Sequence, residues 1–153
     1  SVADEFDTLG IKVAKIRIGI VLAKKGGALQ EMVKPIQMGL GAAFGSGKQY
    51  QSWVHVHDLA QIFYFIMQNQ YEGVFNGVSP YPVTNNEMTK AIGKVVGKPV
   101  FLPNIPKFLM KCILGEMHEI LFSSQQVSAR KLLDKGFQFQ FVSLDKALEN
   151  LLK

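Results

Sequence analysis

The sequence predicts an α/β fold, a parallel strand–helix–strand unit followed by a mostly helical second half. Three observations carry this. Residues 49–57 alternate with period two, as a strand does, and a second short strand begins at Gly73. The apolar stretch between them, "LAQIFYFIMQN", is helical, and two strands joined through a helix in this way lie parallel. Beyond residue 80, capping residues, prolines and helical apolar spacing replace the alternation.

Taken in order, "SVADEFDTLG" reads as the last turns of a helix closed by Gly10, and a strand follows from Ile11 to Leu22. After the turn "KKGGAL", Leu29, Met32, Val33, Ile36 and Leu40 recur at helical spacing. A mobile glycine-rich connection, residues 39–47, leads into the strand that ends at His57. Asp58 is placed to cap the next helix, with Gln61 reaching back to it, and the strand Gly73–Val78 completes the unit. In the second half, Thr84 and Glu87 form a capping box for a helix whose inner face is Met88, Ile92 and Val95 and whose stop is Gly97 with Pro99. "VFL" reads as a short strand, and Pro106 opens a helix that breaks at Gly115. Two short helices, a small two-faced strand "FQFQF" and a final helix capped by Ser143 complete the chain.

A chain of 153 residues with 48% hydrophobic content buries an ordinary core and forms one domain or pieces of two. The net charge of +5 comes from scattered lysines, not from the clustered basic face with exposed aromatics that nucleic-acid binding requires. Cys112 is alone in apolar surroundings, which rules out an internal disulfide and fits a reducing, cytoplasmic location. No apolar run reaches the ~18 residues of a membrane span. Because the chain opens mid-helix and without Met, it is expected to be the C-terminal part of something longer.

The glycines invite a reading as a phosphate loop. Gly41, Gly45 and Gly47 have the spacing G-x-x-x-G-x-G, but a dinucleotide loop runs from strand to helix, and here a helix precedes and a strand follows. A nucleoside-triphosphate loop fails too, since Ala42 and Gln49 stand where Gly and Ser or Thr belong. "HEILF" begins like a zinc-protease motif, yet Phe122 replaces the second histidine. His55 and His57 share a strand face without a third ligand and read as hydrogen-bonding histidines. None of the four tyrosines has a lysine four residues later, and no G-x-S-x-G elbow occurs.

Together, "KIRIGIVLAKKGGAL", "GSGKQYQSWVHVHDLA", "GVFNGVSPYPVTNNEMTKAIG" and "GFQFQF…LDKALENLL" resemble the C-terminal half of extended short-chain dehydrogenase/reductases, in particular the NAD-dependent epimerase/dehydratase branch. The resemblance implies the end of a doubly wound Rossmann-type parallel sheet in residues 1–79, with a substrate-side insertion at 23–52, and a small, mostly helical substrate domain in 80–153. It places the dinucleotide fingerprint and the Tyr-x-x-x-Lys pair on an N-terminal half that these residues do not contain. It implies NAD or NADP in the full-length protein and none for this chain, which is then inactive alone. The alternative is a non-catalytic ligand-binding or regulatory module. By the same resemblance, Gly19, Ile20 and Val21 face the nicotinamide end, while Gly27, Met32, Gln51 and Trp53 face a small-molecule substrate, with a nucleotide-sugar among the candidates. Many relatives carry an arginine and an aspartate where this chain has Gln51 and Ser52. An amide cannot neutralise a diphosphate, and Lys48 is the nearby cation that could do so in part. The unpaired edge of the first strand is expected to drive self-association.

Overall fold

The computed structural model describes residues 10–105, 124 and 126–153. The expected opening helix, the helix after Pro106, the first of the two short helices, Cys112 and His118 lie outside the described residues.

The first strand is two strands. β1 (Ala14–Ile18) pairs parallel with β5 (Gly73–Gly77), in a register that sets Ala14 beside Gly73 and Arg17 beside Asn76. β2 (Ile20–Leu22) pairs parallel with β4 (Trp53–His55). Gly19 is the point where the chain changes neighbours. Its N–H still donates to the Gly77 carbonyl at 3.3 Å, while the N–H of Ile20 already donates to the Ser52 carbonyl at 2.8 Å. A side chain at position 19 would collide with that Ser52 oxygen and come within 2.8 Å of Val78 Cγ1, so only glycine permits the crossing.

Between β2 and β4 runs α1 (Gly27–Gln37), which buries Leu29, Met32, Val33 and Ile36 as its spacing predicts. The glycine-rich connection after it is fastened rather than loose. Phe44 N–H donates to Asn85 Oδ1, Gly45 N–H to the Ile105 carbonyl, and Gln49 Nε2 to the Phe44 carbonyl. It ends in β3 (Tyr50–Gln51), whose antiparallel partner β6 (Val83–Thr84) is too short to be legible as a strand in the sequence.

α2 (Val56–Gln68) begins earlier than expected, and Asp58 does not cap it. The cap is His55, whose Nδ1 accepts the N–H of His57 at 3.0 Å. Asp58, buried in the first turn, instead accepts the backbone N–H groups of Gln140 and Phe141 at 3.0 and 2.9 Å. This also explains why "FQFQF" is not a strand: two of its N–H groups are taken by a carboxylate instead of a neighbouring strand. "VFL" likewise stays outside the sheets. α3 (Asn85–Val96) carries the complete Thr84–Glu87 capping box and ends at Gly97 in the left-handed conformation, φ +69°. α4 (Arg130–Asp134) and α5 (Leu144–Leu152) follow. Ser143 stands at the start of α5 but makes no side-chain capping bond.

Alternation along β2 and β4 sorts the core into two. Ile20, Leu22 and Trp53 join Leu29, Met32, Met88, Ile92 and Leu148 of α1, α3 and α5. Val54, with Val21 against it, joins Ile62, Ile66, Phe75, Leu132 and Phe137 on the side of α2, β5 and α4. Both faces of the parallel strands are therefore covered by helices, as parallel sheets require.

Candidate functional site

Parallel strands present ligands at their carboxyl ends, where the backbone opens into loops. The carboxyl ends of β1 and β5 form such a cleft, about 690 Å³ in volume, walled by residues 17–20, 50–52, Asn76, Val78 and 126–128.

Three hydrogen bonds fix the wall formed by Ser124 and residues 126–128. Ser52 Oγ accepts the Val127 N–H at 2.9 Å, Asn76 Nδ2 donates to the Ser128 carbonyl at 3.0 Å, and the Tyr50 N–H donates to Ser124 Oγ at 3.1 Å. Below it, the Ser79 N–H donates to the Trp53 carbonyl at 2.6 Å and ties the end of β5 to β4. Ser52 is thus a brace as well as a lining residue. Its carbonyl holds β2 and its hydroxyl holds the far wall.

Of the residues singled out in the sequence, the structure brings Gly19, Ile20, Gln51 and Ser52 together on this cleft. The others stand elsewhere. Val21 is not among the lining residues and packs against the second core. Met32 and Trp53 are interior, the latter wholly buried with its Nε1–H donating to the Tyr81 carbonyl at 3.0 Å. Gly27 is exposed at the start of α1 with φ +71°. Lys48 is exposed on the glycine connection, outside the cleft. Their assignment follows chain position, whereas side-chain direction decides what a cleft sees. Arg17, Tyr50, Asn76 and Gln126 are lining residues that sequence reasoning passed over. The available signal was the rule that ligands gather at the carboxyl ends of parallel strands, which points to Arg17 and Asn76 once their strands are paired.

The two histidines serve the fold. His55 accepts through Nδ1, so its proton is on Nε2, which donates to Asn150 Oδ1 at 3.2 Å, and its ring stacks on Phe141 at 3.8 Å. Burial pushes its pKa below the ordinary histidine value, against the opposing pull of Asn150 and Asp58. Among the described residues no three His, Cys, Asp or Glu side chains gather to hold a metal, and no helix is long and apolar enough to cross a membrane.

Comparison with known proteins shows what this arrangement belongs to. Residues 105–151 match a family profile described as a domain of unknown function, DUF1731. The chain is 40% identical over 144 residues to the epimerase family protein SDR39U1 homolog, chloroplastic, of Arabidopsis thaliana, covering 94% of this chain and 41% of that protein. The crystal structure of human epimerase family protein SDR39U1 (isoform 2) with NADPH superimposes with a TM-score of 0.83 at 34% identity, over 92% of this chain and 48% of that one. UDP-glucose 4-epimerase of Thermus thermophilus, solved with NAD, shares the fold at a TM-score of 0.69 and 17% identity, over 98% of this chain and 49% of that one. The chain spans about half the length of the curated relatives it matches. Sequence and fold agree along nearly all of its residues, and the chain belongs to the extended short-chain dehydrogenase/reductases of the NAD-dependent epimerase/dehydratase family, whose C-terminal part it matches.

Proposed function

We propose that this chain is the substrate-side half of an NAD(P)-dependent oxidoreductase of the epimerase type and is catalytically inactive alone. The observation that supports this reading is the position of the cleft at the carboxyl ends of two parallel strands, with the backbone of Gly19 and Ile20 on one wall and Gln51 and Ser52 on another. A bound nicotinamide would supply hydride transfer. The residues present fit the flat end of such a group. Gly19 offers no side chain at the wall, Ile20 gives it an apolar surface, and among the described residues no carboxylate lines it. What the chain itself does is bind and orient. Ser52 and Asn76 hold the 126–128 wall at a fixed distance, which excludes water from one side of a bound molecule and narrows the poses it can take.

The test is calorimetric. The 153-residue chain should bind neither NADH nor NADPH with a dissociation constant below roughly 10 μM, about −7 kcal/mol. A full-length protein that carries this chain after a dinucleotide-binding half should bind one of them tightly. Micromolar binding by the chain alone would overturn the division of labour. In the full-length protein Gln51→Arg should strengthen UDP-sugar binding by about 1–2 kcal/mol, because an arginine adds a charge-assisted bond that an amide lacks. Unmodified protein that binds UDP-sugars tightly and loses that affinity on Lys48→Ala would show Lys48 acting in the arginine's place.

A further inference from the structure

Several charged side chains of this chain are accounted for locally. Lys12 meets Glu72, Lys34 meets Glu31, Lys94 meets Asp145, Arg130 meets Asp134, and Lys131 donates to the Val74 carbonyl. Arg17 is different. Among the described residues its side chain has neither an ion pair nor a hydrogen bond, and it lines the cleft. Among the described residues no aspartate or glutamate lines the cleft with it, nor any other formal charge. Its neighbours there are neutral hydrogen-bonding groups, with Asn76 beside it in the β1–β5 register and Gln126 and Ser128 on the braced wall. The remaining lining residues are apolar or aromatic: Ile18, 47% exposed, the buried Ile20 and Val78, Val127, and Tyr50, 39% exposed.

We infer that this cleft takes a monocarboxylate with an apolar or aromatic body, its carboxylate paired with the Arg17 guanidinium. The inference rests on the reading of the cleft as the substrate side and narrows the substrate class. A guanidinium matches a carboxylate with two parallel N–H···O bonds, and a single uncompensated positive charge balances a single negative one. A diphosphate brings at least one charge more than the lining supplies, and Gln51 stands where a second arginine would have met it. The volume of about 690 Å³ is far larger than an isolated ion needs and matches a small organic molecule. The carboxylate thus sets orientation while Ile18, Val78, Val127 and Tyr50 receive the body.

The experiment uses the 153-residue chain with three probes of one shape: benzoate, its neutral analogue benzamide, and phenyl phosphate. Backbone amide resonances of Gly19, Gln51, Ser52 and Val127 report where each one sits. Benzoate should shift these resonances and bind at least about tenfold more tightly than benzamide, the scale of one charge-assisted pair. Arg17→Met should abolish that preference, whereas Arg130→Met, which removes a surface arginine of α4, should leave it intact. Equal binding of benzoate and benzamide, no shift in these four resonances with either, or a benzoate preference that survives Arg17→Met overturns the proposal. Tighter binding of phenyl phosphate than of benzoate overturns it in favour of a phosphate group. Should Arg17→Met lose its amide dispersion, Arg17→Lys is read instead. It keeps the charge without the fork and should weaken benzoate at least about threefold, and unchanged affinity refutes the paired geometry. No nicotinamide cofactor enters these measurements, so they can fail while the cofactor titrations succeed, and the reverse.

Discussion

The two faces of β2 and β4 are built from different materials. On one, Trp53 and aliphatic side chains from α1, α3 and α5 close around one another. On the other, Phe65, Tyr71, Phe137 and Phe139 pack edge to face, with ring centroids 4.8–5.5 Å apart, and Phe75 lies tilted against Tyr71 at 6.2 Å. Lys131 lies over the Phe75 ring at 4.1 Å and Lys135 over Tyr71 at 4.9 Å. The aliphatic face is sealed by elements of this chain. The aromatic face ends in an open groove of about 600 Å³ between β1 and α2, where Phe63 and Met67 are exposed. Aliphatic packing that is finished locally can be dense and deaf to its surroundings, whereas rings and lysine stems tolerate a boundary left open to water.

The contrast can be broken most sharply at Trp53. Trp53→Ala should cost about 4–5 kcal/mol in urea unfolding, since the wholly buried indole and its bond to the Tyr81 carbonyl go together. Leu132→Ala on the aromatic side should cost about 2–3 kcal/mol, because the α4 region can relax toward the open side. Equal costs would mean that the faces are equally closed. Gly19→Ala should lose about 2 kcal/mol through overpacking against Ser52 and Val78, and should shift the amide resonances of both β2 and the 126–128 wall. An unperturbed wall would show that Ser52 does not couple the two.

The smallest effect is that of pH, and it acts at His55, which stacks on Phe141 and meets Asn150 on the Trp53 side. Burial holds the folded-state pKa of His55 below the ordinary value of 6.5, so the unfolded chain takes up the proton more readily. Its contribution to stability is therefore complete above about pH 6.5 and drains away as pH falls from there toward the folded-state pKa. Stability measured across that window should fall with acidification, and His55→Gln should flatten the slope. A slope unchanged in the variant would assign the effect to other groups.

How far the sequence could be read follows from how local each signal is. The helix faces, the Thr84–Glu87 box and Gly97 are settled within a few residues, and the structure has them as expected except for Leu40, which lies past the end of α1 and is exposed. Asp58 has the right residue type for a cap, but the fold gives that task to His55 and sends the carboxylate across to residues 140 and 141, 82 and 83 positions away in the chain. The alternation of "FQFQF" is genuine in that Phe137 is buried and Gln138 and Gln140 are exposed, but alternation does not reveal whether a neighbouring strand exists. On the cleft, Gly19, Ile20, Gln51 and Ser52 were legible through resemblance. Arg17 and Asn76 become neighbours only through the β1–β5 register, which no short window of sequence contains.

The braces of the cleft also have a bearing on the order of folding. Ser52 reaches Val127 across 75 positions, Asn76 reaches Ser128 across 52, and His55 meets Asn150 across 95. Closing spans of that length is slow compared with forming the helices they connect. During synthesis, residues 14–105 can emerge and pack while the partners of Ser52 and His55 are still unmade. The cleft would then exist for a time with its floor in place and one side open, and its ability to discriminate among ligands would be the last property the chain acquires.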